Sequence, residues 1–343
     1  MTRLRASLVT YDRPAGVDES AVVTVLRVPP EVEGQRLDVF VQSQLRRTSR
    51  TRTQRIIEKS AFDPSGKPLR SNDRVHAEQF VLLWRPAWDD VPVPRDIGVL
   101  YEDDFLLAVD KPPFLPVHPT ARHYRNTLIR LLFDARPGAF LSLGHRLDRE
   151  TSGILLVAKT RECERALKRQ FEMRDSIRKS YVAITRGVPV LAGSCGPSFR
   201  YERSLELDPA SPLRVKMRLG QTKAALHAST TFEILRKIEA RGTTYARILC
   251  GLETGRQHQI RVHLAALGAP IVRDKLYGVD ERIFVRAAAD ELTPADHALL
   301  ELPRHALHAA EIRLTHPMTG EQLAILSPLA PDLEAFWQGL SSA

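Results

Sequence analysis

Cysteine is scarce in this chain. Its 343 residues hold three, Cys163, Cys195 and Cys250, far apart and with no CxxC pair. That excludes a disulfide framework and a thiolate zinc site, and it fits a reducing cytoplasm. No apolar run approaches the ~18 residues of a transmembrane helix, so no membrane partner is expected. Residues 1–30 lack the apolar core of a signal peptide, so nothing argues for export. Aromatic residues make up only 6%, too few for a long stacking track along a single strand. There is no GxGxxG and no phosphate loop. His258 and His263, or His305 and His308, have no companion ligands at useful spacing, so neither a metal nor a cofactor is expected. Acidic residues are outnumbered, 41 against 50 Lys and Arg, for a net charge of +9. A surplus of that size favours a polyanionic partner. With 43% hydrophobic and 27% charged residues, the chain is globular and not disordered.

The length suits two domains. Residues 1–25 have little periodicity and are expected to be a flexible segment. Residues 26–84 form a separate block. It has a short helix from about Leu37 to Leu45, with Leu37, Phe40, Val41 and Leu45 on one face, and another from Thr51 to Lys59. A Pro64-Ser65-Gly66-Lys67-Pro68 turn follows, then a strand-like run from Val75 to Trp84. Residues 85–97 carry three prolines, Pro86, Pro92 and Pro94, and read as a stiff linker. From residue 98 to 343 the pattern is mixed α/β. Val99–Tyr101 and Phe105–Val109 flank an acidic turn and read as a hairpin. Gly153–Ala158 is a continuous apolar run, suited to a strand buried on both faces. Thr160 is an N-cap for a helix to about Met173 with Cys163, Leu167 and Phe171 on one face. Strands are expected at Tyr181–Thr185, Ala225–Leu235 and Thr244–Leu249. A helix from about Gln257 to Leu267 is stopped by Gly268 and Pro270.

Two charged stretches stand out. In the small block, Arg36, Arg46, Arg47, Arg50, Arg52, Arg55 and Lys59 face only Asp38 and Glu58. Guanidinium groups gathered by a turn near Thr48-Ser49 suit phosphate, although charge alone reads equally as a solvated face. The pattern Arg36-Leu37-Asp38, Ser49-Arg50, Gln54-Arg55-Ile56-Ile57, Gly66-Lys67 and Asp73-Arg74-Val75 resembles the S4 RNA-binding domain. That resemblance implies a small α/β module whose Arg46, Arg47, Arg50 and Arg55 meet RNA.

The second stretch, His145-Arg146-Leu147-Asp148-Arg149-Glu150-Thr151-Ser152-Gly153, crowds charge at the entry of the apolar run. Taken alone it could be a polar turn. It resembles the signature of the RluA-type RNA pseudouridine synthases. So do Val99–Asp104, Lys111-Pro112 and Val117-His118-Pro119 before it, and Lys179–Ala183, Thr254–His263, Leu307-His308-Ala309 and His316-Pro317 after it. The resemblance spans about residues 98–330. It implies a largely antiparallel mixed sheet flanked by helices, and an isomerase that detaches uridine at N1 and rejoins it through C5 without metal or redox partner. Asp148 would be the essential carboxylate, Arg261 its ion-pair partner, and Tyr181 the ring against uracil and an aid to proton removal from C5; these are the expected catalytic residues. Arg146, Lys179, Arg256 and His258 would contact RNA. The target uridine would be flipped out of ribosomal or transfer RNA by a monomeric enzyme.

Some positions depart from the family pattern. Gln257 replaces Thr or Ser, and Asp110 and Phe114 replace Asn and Gly. Arg273 replaces Gly before Asp274, where arginine would resist a positive φ and reshape the loop. Two other readings compete: an inactive RNA-binding or ribosome-associated protein with the same fold, and a hydrolase built on Asp148, Ser152 or His145. No GxSxG context surrounds Ser152.

Overall fold

The computed structural model describes all residues except 1–10, 20, 46–48, 86–90, 120–122, 124, 174–176, 192–195, 212, 214, 279, 290 and 342–343. The chain divides into two units, Met1–Asp90 and Val91–Ala343.

The first unit contains β1 (Val22–Arg27), α1 (Leu37–Gln44), α2 (Arg50–Ser60), β2 (Ala61–Phe62) and β3 (Phe80–Arg85). Its antiparallel sheet has the order β1-β3-β2. Leu37, Phe40 and Val41 of α1 and Ile57 of α2 are buried with Val81 and Leu83 of β3. Ser49 caps α2 by accepting the Arg52 N–H at 3.3 Å. Asp63 holds the following turn, its Oδ1 accepting from the Ser65 and Lys67 backbone. Two expectations change here. Val22–Arg27 lies partly within the stretch expected to be flexible, yet it pairs along its whole length with β3. The partner is nearly sixty residues away, so no local pattern announces it. The last strand begins at Phe80, not Val75, because Glu78 takes a positive φ of 63°.

The second unit begins with β4 (Gly98–Glu102), β5 (Leu106–Lys111), α3 (Leu128–Ala135), β6 (Ser142–Leu143), β7 (Ser152–Ala158), α4 (Arg161–Met173) and β8 (Ile177–Arg186). It continues with β9 (Ser198–Glu202), β10 (Leu205–Leu207), β11 (Met217–Leu219), β12 (Ser229–Ala240), β13 (Thr243–Leu252) and α5 (Gln259–Ala266). It closes with α6 (Arg282–Ala289), α7 (Pro294–Leu300), β14 (Leu307–Thr315), β15 (Gln322–Leu326) and α8 (Pro331–Ser341). The main sheet runs β4-β5-β7-β14-β8-β13-β12-β9, with β15 added to β14 and β6 to β7. Among the described residues, only β7 and β14 pair in parallel. The expected hairpin is β4–β5, and Thr160 caps α4 by accepting the Cys163 N–H at 3.1 Å.

Every residue of β7 is buried, because the sheet is covered on both faces. Leu155 and Val157 pack on one side with Leu128 and Leu132 of α3, Ile260 and Leu264 of α5, and Leu333 and Trp337 of α8. Ile154, Leu156 and Ala158 pack on the other with Cys163 and Leu167 of α4. An alternating strand would have left one of these faces wet; the unbroken apolar run does not. Gly153 makes the β7–β14 contact possible. It sits at φ 105°, and a Cβ there would lie 2.2 Å from the Ala309 carbonyl oxygen. The result is a signature loop that ends at the middle of the sheet.

Candidate active site

Residues 144–151 reach β7 as a loop held from below by two buried basic side chains. The Lys111 ammonium donates to the carbonyls of Pro112 at 2.8 Å, Leu115 at 3.0 Å and Arg149 at 3.2 Å. Arg304 donates from Nη1 to the Glu150 carbonyl at 3.1 Å, while Asp332 grips its other two nitrogens at 2.7 and 2.9 Å. Glu150 is ion-paired to Lys275, and Thr151 Oγ1 meets His305 Nε2 at 2.8 Å. His145 accepts the Leu156 N–H at 3.2 Å. Burial, with Lys179 beyond it, pushes the imidazole down to about 3, so it serves as a neutral acceptor.

Above this base Asp148 meets Arg261. Arg261 Nη1 donates to Asp148 Oδ2 at 2.9 Å. Its Nε and Nη2 form a two-pronged pair with Asp274, at 2.6 and 2.8 Å. Asp274 also accepts the Leu276 and Tyr277 N–H groups, each at 3.0 Å, which fixes its carboxylate. The guanidinium fork matches one carboxylate and has a donor left for the other. Burial works against the charge on Asp148, but Arg261 foremost, then His258 and His305, holds it below its ordinary value. Burial likewise opposes charge on Arg261, and Asp274 first, Asp148 next, keeps it firmly protonated. Asp148 is therefore a carboxylate at neutral pH with its side chain 27% exposed. Among the described residues, its side-chain hydrogen bonding and ion pairing go to Oδ2.

A cleft of about 440 Å³ opens at Asp148, lined by Asp148, Tyr181, Arg146, Lys179, Arg256 and His258. These are six of the residues expected from sequence. Arg146 is exposed at the mouth. Tyr181, on β8, is buried, and burial first, then the Asp148 charge, pushes its phenol up beyond ordinary titration. The ring is neutral, which suits stacking and donation and does not suit a phenolate base. The Lys179 ammonium rests 5.3 Å from the Phe171 ring centroid. Arg256 Nε donates to the His227 carbonyl at 2.9 Å. Gln259 is buried with its amide fully used on Thr254, Arg256, Ser229 and Thr230, and it pins the loop before α5. That helix starts two residues later than expected, because His258 takes a left-handed φ of 57°.

Arg261 reaches the site as the partner of Asp148, its guanidinium held between Asp148 and Asp274. Arg50 and Arg55 belong to the first unit. Arg50 Nε bonds Asp38 at 3.1 Å, and Arg55 is exposed. Arg46 and Arg47 lie outside the described residues. Asp38, counted from sequence as one opposing charge, is buried and gathers Arg36, Arg50 and Gln54 onto one carboxylate.

Three features were not legible from sequence. Asp274 and Tyr277 were not singled out, although both touch the Asp148–Arg261 system. Arg273 was expected to resist a positive φ, yet it adopts 64°, and Phe114 adopts 66° at the other position where glycine is usual. The loop keeps its left-handed turn because Asp274 ties both Arg261 and the chain beyond it. Ser152, one of the residues of the hydrolase reading, does not reach the cleft: it is buried between β7 and β14, its hydroxyl against His308 at 2.9 Å. Among the described residues no group of three or more His, Cys, Asp or Glu could hold a metal ion.

A family model described as RNA pseudouridylate synthase matches residues 105–266. The chain is 32% identical over 317 residues to a protein named ribosomal large subunit pseudouridine synthase D from Neisseria meningitidis serogroup B, covering 90% of this chain and 79% of that one. It is 34% identical over 313 residues to the protein of the same name from Pseudomonas aeruginosa, covering 89% and 92%. Among solved structures, human RNA pseudouridylate synthase domain containing 1 superposes with a TM-score of 0.53 at 23% identity, covering 74% of this chain and 98% of that one.

Proposed function

The chain belongs to the RNA pseudouridylate synthase family, and on that premise we propose that it isomerises uridines of large-subunit ribosomal RNA, with Asp148 as the carboxylate that acts on the nucleoside. The activity itself is that of an RNA pseudouridine synthase, an isomerase. The choice of ribosomal RNA is supported by the names of the relatives. The observation that carries the assignment of Asp148 is its 2.9 Å ion pair with Arg261 at the floor of a cleft shared with Tyr181.

Pseudouridine formation breaks the bond from N1 to the ribose C1′ and makes one from C5 to C1′. The C5 proton leaves and N1 gains one. Attack by a carboxylate, or proton removal by it, demands the ionised form, and Arg261 maintains that form inside a cleft. Tyr181 stacks on the flipped uracil as a neutral ring. Arg146, exposed beside the cleft, takes the place vacated in the RNA stack. Lys179, Arg256 and the first unit, in the role of an S4-like module, hold phosphates. Flipping costs a few kcal/mol and is least for an unpaired nucleotide, so a loop or bulge is the favoured target.

An inactive RNA-binding protein would not need a carboxylate kept charged in this cleft. The direct test maps pseudouridine in ribosomal and transfer RNA from cells with and without the gene. The expected result is loss of one or more modified positions in large-subunit ribosomal RNA. An unchanged ribosomal map with a lost transfer-RNA position would overturn the substrate, and no change in either would overturn the function.

A further inference from the structure

Resting on the assignment of Asp148 above, we propose that Tyr277 and His258 form a positioning relay that aims the His258 Nε2–H at Asp148 Oδ2. Arg261 and His258 then share Oδ2, and Oδ1 is left as the oxygen that meets the nucleoside.

The chain of donors fixes the direction. The Met217 N–H, on β11, donates to the Tyr277 hydroxyl at 2.9 Å. Among the described residues the hydroxyl's other partner is His258 Nδ1 at 2.7 Å, and in the relay its own proton goes there. An imidazole that accepts at Nδ1 carries its proton at Nε2 when neutral. Burial foremost, and Arg261 next, pushes His258 down to about 4, so it is neutral in the working range. His258 Nε2 lies 3.8 Å from Asp148 Oδ2, the same oxygen that Arg261 Nη1 meets at 2.9 Å. That is longer than a hydrogen bond, and catalytic hydrogen bonds commonly tighten only when substrate is bound.

The relay is held rigidly. His258 occupies a left-handed backbone conformation, uncommon for a residue with a Cβ and maintained only where the surroundings over-determine it. Its carbonyl accepts the Val262 N–H at 3.0 Å, and its ring meets Tyr277 edge-on at 5.6 Å. Tyr277 is fixed in turn: its N–H is bound by Asp274, and its ring faces the Arg261 guanidinium at 5.1 Å. One carboxylate, Asp274, thus positions both groups that address Asp148. The resemblance implies an RNA contact for His258; its side chain is 10% exposed, lines the cleft and is committed on Nδ1 to Tyr277.

Two measurements on the full-length protein test this. Nitrogen-15 spectra of histidine-labelled protein should show His258 protonated at Nε2, and Tyr277→Phe should mix its tautomers. Single-turnover release of tritium from a large-subunit ribosomal RNA transcript labelled at uridine C5 should fall about tenfold in His258→Asn, as for loss of one donor to a carboxylate. His258→Gln, whose amide nitrogen reaches the place of Nε2, should recover most of that loss, with transcript affinity unmoved in both. A wild-type His258 protonated at Nδ1, or a glutamine variant no better than asparagine, overturns the relay. If Asp148→Asn stays active, the underlying assignment fails instead, and the tautomer remains readable without it.

Discussion

Replacing Arg261 by glutamine removes the charge that keeps Asp148 ionised while leaving amide donors in place. At the observed 2.9 Å, the Coulomb attraction at an effective dielectric near 20 is about 6 kcal/mol. The Asp148 side chain is 27% exposed, and water screens roughly half of this, leaving about 3 kcal/mol, or about two pH units. In the wild type the active carboxylate is present above its lowered pKa and lost only as pH falls through it, below the ordinary 3.8. In the variant, burial acts with its main opponent removed and the acid limb of the single-turnover rate should move about two pH units toward neutrality. The rate should therefore recover on the alkaline side. Stability changes in the same sense. Asp148 and Asp274 contribute stability that is present above 3.8 and lost as pH falls through their lower folded values. Breaking the pairs should cost about 3–5 kcal/mol at neutral pH, with a difference that narrows in acid. The assay is tritium release from the C5-labelled transcript between pH 5 and pH 9, a window in which the wild-type rate should stay flat on the acid side and the variant's should fall, with Tm measured at each pH. A folded variant with the wild-type acid limb would refute the electrostatic role of Arg261.

Three further outcomes follow from the supports of the site. Lys111→Met leaves the carbonyls of Pro112, Leu115 and Arg149 without this donor and should destabilise the protein by roughly 3 kcal/mol, read by urea unfolding; an unaltered midpoint would mean the loop does not depend on that side chain. Gly153→Ala drives a Cβ to 2.2 Å from the Ala309 carbonyl and should lower Tm far more than Gly138→Ala, which also has a positive φ but open space. Equal effects of the two would show that the β7–β14 approach is not close. Arg55→Gln in the full chain should reduce the salt slope of transcript binding by about one if that exposed arginine meets a phosphate; an unchanged slope would make it a solvated face.

The strands and helices that carry the site were legible because their patterns are local. The unbroken apolar run of β7 announced a strand covered on both faces, and Thr160 announced the start of α4. Asp148, Tyr181 and Arg261 were legible through motif blocks, not through spacing, since 113 positions separate the ion pair. What local pattern could not supply was pairing at a distance. β1 was hidden because its partner strand lies far along the chain. Asp274 and Tyr277 were hidden because their importance depends on a left-handed turn at Arg273 that its residue type argues against. Asp38 looked like one stray acid, and only its burial reveals a carboxylate gathering two arginines and a glutamine.

The most direct measurement is single-turnover tritium release by Asp148→Asn, the smallest change that removes the charge and keeps the shape. The expected result is no detectable isomerisation, with transcript affinity within a few-fold of wild type because phosphate contacts are untouched. Pseudouridine formed by that variant at the wild-type rate would contradict the assignment of Asp148.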